Sequence, residues 1–198
     1  MEVSTIVGLA VIGVIVIYLV FVFNKLVLYS NRFKNAFSQI DVQLKRRYDL
    51  IPNLVDTAKG YLKHERETLE SVIKARNAAA DNLSSAGQTP GKPAAMQSLG
   101  QAESNLAGAL GRFNLLVEAY PDLKANETMM RLTEELTSTE NKIAFARQAF
   151  NDQVMQYNVF KQSFPPVVFA GLFGHAAHAS LLEFEDRADI QSVPRVQL

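Results

Sequence analysis

The stretch VSTIVGLAVIGVIVIYLVFVF (residues 3–23) decides the architecture of this chain, because it holds no charged residue. As an α-helix, its 21 residues span about 30 Å at about 1.5 Å per residue, which matches the hydrocarbon core of a bilayer. A cleaved signal peptide has a basic start and a shorter apolar region, whereas Glu2 precedes this stretch and Asn24-Lys25 follows it. A buried core helix seldom lacks a polar face over this length. The sequence therefore predicts a membrane anchor over residues 1–29.

Positive charge lies on one side of the apolar stretch only. No Lys or Arg precedes it, and Lys25, Arg32 and Lys34 follow it closely. The positive-inside rule then predicts that the N-terminus lies outside and that the domain lies in the cytoplasm, at a bacterial inner membrane. A periplasmic domain stays open as the alternative. The first predicted partner is the lipid bilayer.

The composition argues against several other classes of protein. Lys+Arg and Asp+Glu balance at 20 each, so the chain has no overall field that would attract nucleic acid. The absence of Cys excludes disulfides, thiolate metal sites and cysteine nucleophiles. Zero Trp and only 10 Gly argue against an all-β fold, whose turns need glycine.

Apolar residues recur at helical spacing after the anchor, which predicts an all-α fold. The first helix continues the anchor helix without a break, and its buried stripe is Phe33, Phe37, Ile40, Leu44 and Ile51. Pro52 either kinks this helix or starts a second one. The second stripe is Val55, Leu62, Leu69 and Arg76. It fades at Asp81, and the Gly- and Pro-containing residues 83–93 predict a loop.

Two further segments complete an antiparallel four-helix bundle with long helices, predicted over residues 30–166. The third stripe is Met96, Leu99, Leu106, Leu110, Phe113, Val117 and Tyr120. A turn at Pro121 leads into a heptad ladder formed by Met129, Leu136, Ile143, Phe150, Tyr157 and Phe164. Pro165-Pro166 ends this helix. Residues 167–198 are predicted to form a partly irregular C-terminal tail.

Arg47 and Glu103 interrupt two otherwise apolar stripes. We expect both to lie at the edge of the core, where long side chains keep their charged ends in water. The alternative is that the two residues meet in the core. A buried pair would cost desolvation energy and would fix the helix register more than it would add stability.

Four segments of the chain resemble the LemA family. They are FSQIDVQLKRRYDLIPNLVDTAKGYLKHERETLESVIKAR (37–76), NLLVEAYPDLKAN (114–126), LTEELTSTENKIAFARQAFND (132–152) and YNVFKQSFP (157–165). With the apolar N-terminus, the resemblance covers most of residues 1–175, and the tail beyond is not matched. The resemblance implies a membrane-anchored helical bundle. One related protein acts in magnetosome membrane formation, and bacterial relatives are associated with envelope-stress proteases. The resemblance therefore implies membrane organisation or quality control but no reaction.

Several short patterns are better explained by structure than by chemistry, so we predict no catalytic, cofactor-binding or metal-binding residues. Ser71 and Lys74 have the spacing of serine acyl-enzymes without the companion motifs. Residues 87–92 (GQTPGK) are one residue too short for a phosphate-binding loop. His64 lacks the second histidine of a zinc-binding HExxH helix. His175 and His178 could share a metal on a helix face, but two ligands make a weak site.

The basic cluster Lys45-Arg46-Arg47 lies about 30 Å beyond the anchor on a straight helix, too far to bind lipid headgroups. We therefore expect a solvated face whose charges pair with Asp41 and Asp49 at helical spacing.

The sequence thus predicts a protein that is not an enzyme: a membrane-anchored helical bundle that self-associates and acts as a scaffold or organiser. An apolar part of the tail (residues 167–173) is expected to pack on a neighbouring copy. The alternative is an adaptor that presents membrane proteins to an envelope-stress protease or signalling system. The predicted partners are the bilayer, further copies of the chain and a membrane protein, with neither nucleic acid nor a small-molecule substrate.

Overall fold

The computed structural model describes residues 2–184 and shows an all-α protein, as predicted. Within that range the chain forms six helices and no strand. The helices are α1 (Val3–Lys59), α2 (Arg66–Gln88), α3 (Pro93–Glu118), α4 (Pro121–Lys124), α5 (Glu127–Gln162) and α6 (Pro166–Ala170).

Helix α1 runs from the apolar N-terminal stretch into the domain without interruption, over 57 residues or about 85 Å. The continuity that the sequence predicts is therefore confirmed. Of the two readings of Pro52, the structure agrees with a single long helix, because Pro52 lies inside α1. The residues of the first stripe are all buried.

Proline cannot donate a backbone hydrogen bond, so Pro52 leaves the carbonyl oxygen of Tyr48, four residues earlier, without its helical partner. Arg76 of α2 supplies the missing donor, since its Nε lies 2.9 Å from that oxygen. The proline therefore creates a fixed contact between α1 and α2.

The boundaries of α2 differ from the prediction at both ends. The second stripe does not belong to one helix: the chain leaves α1 at Gly60 and re-enters a helix at Arg66, and buried Leu62 lies in the turn between them. Glycine favours the break, and Leu62 keeps the apolar spacing across it.

The predicted loop at residues 83–93 is too long. Helix α2 continues to Gln88 because Leu83 and Ala86 are buried, and the turn is only residues 89–92.

Four long helices form the bundle, with α1 packed between α5 and α2, and α3 packed on α2. Helices α1 and α5 are antiparallel and joined by aromatic contacts. The Phe37 and Phe150 rings are 5.6 Å apart, and the Phe33 and Tyr157 rings are 5.2 Å apart. The heptad ladder of α5 is buried as predicted except at Phe164, which is 81% exposed. Helix α5 ends at Gln162, so Phe164 lies beyond the helical repeat.

The first part of the predicted tail packs back on the bundle as far as Phe184, and residues 185–198 lie outside the described range. Asn151 and Asn158, seven residues apart on α5, each bind both backbone groups of one tail residue, Leu182 and Ala179 respectively. A Cβ at Gly100 of α3 would collide with the backbone carbonyl of the tail. The tail therefore lies against both α3 and α5.

We predict that Pro52 and Arg76 are energetically coupled. Arg76→Ala leaves a buried carbonyl without a donor and should lower the free energy of unfolding by about 1–3 kcal/mol. In a Pro52→Ala background the restored amide binds that carbonyl, so the loss should be smaller by about 1 kcal/mol. Denaturant unfolding of the four variants measures the coupling.

Arg66→Ala is the matched control, because Arg66 lies on the same helix and pairs with Glu70 on the surface. It should show no coupling to Pro52→Ala. Equal losses for Arg76→Ala in both backgrounds would contradict the assignment.

Candidate functional site

The first functional feature is the N-terminal part of α1, which stands apart from the bundle. Its most apolar 18-residue window is only 6% buried. A helix of the core would be mostly covered, so the structure does not agree with a buried core helix. Side chains from Val3 to Phe21 are mainly exposed and almost all apolar. This helix is long and apolar enough to cross a bilayer.

The second feature is a cluster of charged and polar side chains in the middle of the bundle. Arg47 of α1 is 3% exposed and forms an ion pair with Glu103 of α3, which is 2% exposed. The same guanidinium donates to both carboxylate oxygens of Glu140 on α5, at 2.9 and 3.0 Å. The expectation that Arg47 and Glu103 lie at the core edge is therefore wrong, and the alternative of a core pair is correct.

Tyr48 completes this cluster, because its hydroxyl donates to the carboxylate of Glu103. Burial raises the pKa of Tyr48 well above its usual range, although the nearby Arg47 and Arg76 act in the opposite direction. The phenol therefore stays protonated and keeps its role as a donor. Together with the Arg76 contact described above, the cluster joins α1, α2, α3 and α5 at one level.

The cluster is suited to fixing helix register. Each carboxylate faces the arginine or the tyrosine, and only Glu140 has much solvent contact, with 42% of its side chain exposed. A buried ion pair adds little net stability, but any shift of one helix would separate its charges in a medium where separation is costly. The arrangement therefore favours one alignment of three helices over slipped ones.

The neighbouring charges at residues 41–49 behave partly as expected. Lys45 pairs with Asp41 at 2.7 Å, which confirms the prediction for that residue. Arg46 instead reaches Glu135 on α5, at 2.7 Å. Asp49 lies 3.8 Å from Arg76 rather than pairing within α1. Three consecutive basic residues thus have three different environments, and Arg47 alone enters the core.

Two of the short motifs noted in the sequence make structural contacts in the bundle. Ser71 donates to the backbone carbonyl of Thr68, one turn earlier on α2. Gly91 adopts a positive φ of 82° in the turn between α2 and α3, where a Cβ would press against the ring of Phe33, and its carbonyl accepts from the amide of the tail residue Ser180 at 2.7 Å. The 87–92 segment therefore joins the tail to α1 rather than forming an open loop.

The two tail histidines lie outside the helices, so they do not share the helix face that a joint metal site would need. His175 pairs with the Tyr157 hydroxyl at 2.9 Å, and His178 pairs with Gln162 at 3.2 Å. Burial, followed by the positive charges of Lys161 and Lys34, lowers the pKa of His175. Within residues 2–184, no group of three or more His, Cys, Asp or Glu side chains is arranged to hold a metal ion.

Sequence comparison agrees with this architecture. The family model described as LemA family matches residues 36–198, which covers the bundle from residue 36 onward and the tail. The chain belongs to the LemA family. The match also reaches beyond residue 175, so the tail is part of the family's sequence pattern and the narrower resemblance seen in the sequence was incomplete.

Two curated relatives are similar to this LemA-family chain. Protein LemA of Metamycoplasma hominis is 29% identical over 135 residues, which is 68% of this chain and 57% of the relative. The magnetosome protein MamQ of Magnetospirillum gryphiswaldense is 26% identical over 143 residues, which is 65% of this chain and 53% of the relative. The chain thus spans a little over half the length of these relatives. It is a membrane-associated helical protein of this family.

We predict that Arg47→Met destabilises the bundle strongly, because it leaves the carboxylate of Glu103 buried without a counter-charge. The expected loss in the free energy of unfolding is about 3–5 kcal/mol. Arg46→Met is the matched control: its pair with Glu135 is half exposed, so it should cost less than about 1 kcal/mol. Denaturant unfolding in detergent checks both values.

The double variant Arg47→Met/Glu103→Leu should regain part of the lost stability, because it removes both buried charges. Equal effects of Arg46→Met and Arg47→Met would show that the ion pair in the core is not formed.

Proposed function

We propose that this chain is a membrane-anchored scaffold of a bacterial inner membrane, which self-associates through its bundle and works by assembly without catalysis. The observation that carries the proposal is the continuity of α1. One helix serves both as the apolar anchor and as a core helix of the bundle, so the bundle is held in a defined position above the bilayer.

No flexible joint interrupts this connection. Between Gly13 and Pro52, α1 contains neither glycine nor proline, the residues at which helices most readily bend. The part after Phe23 continues for about 54 Å at about 1.5 Å per residue. A scaffold needs subunits that present their lateral surfaces at the same height along the anchor helix, and a rigid connection to the membrane-spanning part provides this.

Helix α5 offers a surface for contact between copies. Phe145, Met155 and Val159 are 73%, 56% and 61% exposed. At about 100° per residue they fall within roughly 80° of the helix circumference, on the side away from the core. We call these three residues the α5 strip. Exposed apolar side chains grouped on one face are typical of interaction surfaces, and we propose that a second copy of the chain covers them.

The orientation in the membrane is also part of the proposal. Lys25, Arg32 and Lys34 follow the apolar stretch and are consistent with a cytoplasmic bundle. The absence of catalysis is supported by the core cluster, whose charged groups are paired with one another. The relatives add an indirect argument, because MamQ is a magnetosome protein.

An adaptor is the second candidate function, and one surface favours it. At the end of the bundle distant from the anchor, a groove between α1 and α2 has an apolar floor that includes Leu62 and Leu69. Lys59, Lys63 and Lys74 surround it. Such a groove has the chemistry to hold an acidic segment of another protein.

The scaffold proposal predicts that the full-length protein in mild detergent forms discrete assemblies, visible by single-particle imaging and sized by light scattering. Phe145→Asp combined with Val159→Asp should reduce them to monomers, because charges replace apolar side chains on the α5 strip. Far-ultraviolet circular dichroism should stay unchanged, since both positions are exposed.

Leu115→Asp is the matched control, because Leu115 is 70% exposed but lies on α3. It should leave the assemblies intact. A wild-type protein that is monomeric would contradict the scaffold and favour the adaptor. Assemblies that persist in the double variant would show that another surface, such as residues 167–173, makes the contact.

A further inference from the structure

The segment Phe164–Phe173 (FPPVVFAGLF) holds no charged residue and lies at the membrane end of the bundle. It follows the end of α5 and contains α6, which contacts α1. We call it the apolar hairpin. The position of the apolar hairpin relative to the bilayer follows from the position of α1, because the hairpin packs against that helix.

One aromatic contact sets the depth of the hairpin. The Phe173 ring meets the ring of Phe23, the last residue of the apolar stretch, edge to face with centroids 5.5 Å apart. Val22 and Leu26 are 0% exposed, although they lie where the anchor leaves the bilayer. The hairpin therefore covers one side of α1 at the level where the hydrocarbon region ends.

The side of the hairpin away from α1 is apolar and uncovered. Phe164 is 81% exposed and Leu172 is 82% exposed, and Val167 and Val168 are more than half exposed. Large side chains of the bundle core, by contrast, are almost completely buried. Four exposed apolar side chains within nine residues would be unfavourable in water, and the level of Phe23 places them next to acyl chains instead.

The boundary between apolar and polar sequence occurs at the same level in both elements. In α1 it falls between Phe23 and Asn24-Lys25, and in the tail it falls after Phe173, where Gly174 and His175 follow. Lysine and aromatic residues are typical of the membrane interface, and the ammonium group of Lys25 lies 5.7 Å from the centre of the Phe21 ring.

The hairpin is held in place from the bundle side. The amide of His175 donates to the carbonyl of Ala170 at 2.9 Å, and the imidazole pairs with Tyr157. Lys161 of α5 donates to the carbonyl of Ala177 at 2.6 Å. Pro166 and Ala170 are buried. The exposed side chains therefore project from a fixed support.

We propose that the apolar hairpin Phe164–Phe173 inserts into the interface of the bilayer leaflet from which α1 emerges, with its exposed side chains among the lipid acyl chains. A single transmembrane helix leaves the protein free to rotate about the helix axis and to tilt. A second contact beside it defines which face of the bundle points toward the membrane. The proposal requires the membrane anchor but not the self-association proposed above.

The absence of Trp from the sequence makes a depth measurement direct. Single-tryptophan variants of the full-length protein, Phe164→Trp and Leu172→Trp, are reconstituted into phosphatidylcholine/phosphatidylglycerol vesicles. Bromine atoms are placed on the acyl chains either near the headgroup or near the chain end. Both variants should lose about half of their emission with shallow bromines and less with deep ones, because interfacial segments lie about 5–10 Å below the headgroup boundary.

Two control variants distinguish a failure of the hairpin insertion from a failure of the membrane anchor on which it rests. Phe21→Trp reports on the anchor itself and should be quenched. Leu115→Trp, at an exposed position of α3 outside the α5 strip, reports on the bundle and should respond to aqueous iodide instead. If Phe21→Trp is not quenched, the anchor is wrong. If Phe21→Trp is quenched but Phe164→Trp and Leu172→Trp respond only to iodide, the hairpin lies in water and the insertion is wrong.

A third result is equally decisive. Blue-shifted emission at residues 164 and 172 that neither bromines nor iodide quench would show that protein covers the hairpin. That outcome would overturn the lipid contact in favour of a neighbouring copy.

Discussion

The structure depends on the continuity of α1 between two environments. Its first part is uncharged and exposed, as suits a hydrocarbon solvent, while its second part carries a narrow apolar stripe that the bundle buries. No loop separates the two parts, so helix geometry sets the distance of the bundle from the anchor along α1. The other helices and the tail are arranged around the second half of this helix, and the apolar hairpin lies beside the point where it leaves the membrane.

Polar contacts then select one arrangement of the bundle from the many that apolar stripes would allow. Apolar ladders repeat every seven residues and tolerate a slip by one repeat. The ion pairs of Arg47 with Glu103 and Glu140 do not tolerate such a slip, because it would leave their charges buried and separated. Asn151 and Asn158 do the same for the tail by binding the backbone groups of single residues. These side chains contribute more to specificity than to total stability.

Much of this fold could be predicted from the sequence, because the stripes and the anchor are strong periodic signals. The residues that were misplaced show the limits of periodicity. Arg47 occupies a stripe position, but whether a charged side chain there is buried depends on partners from α3 and α5 that are distant in sequence. Leu62 keeps the apolar spacing while lying in a turn, so the apolar pattern did not reveal that α1 ends at Gly60. The stretch after Leu83 looked like a loop by composition, but burial of its apolar face extends the helix to Gln88. The docking of the tail leaves almost no signal in the sequence, since it uses side-chain amides and backbone groups.

The most direct test of the account is a distance measurement along α1. The sequence contains no Cys, so Ile17→Cys/Lys45→Cys can be labelled with nitroxides at two exposed positions, 28 residues apart. Pulsed electron paramagnetic resonance on the protein in lipid nanodiscs should give a single narrow distribution near 42 Å, at about 1.5 Å per residue. A broad distribution, or one centred at a clearly shorter distance, would mean that the helix bends where it leaves the bilayer. That result would contradict the rigid connection on which the proposed scaffold is built.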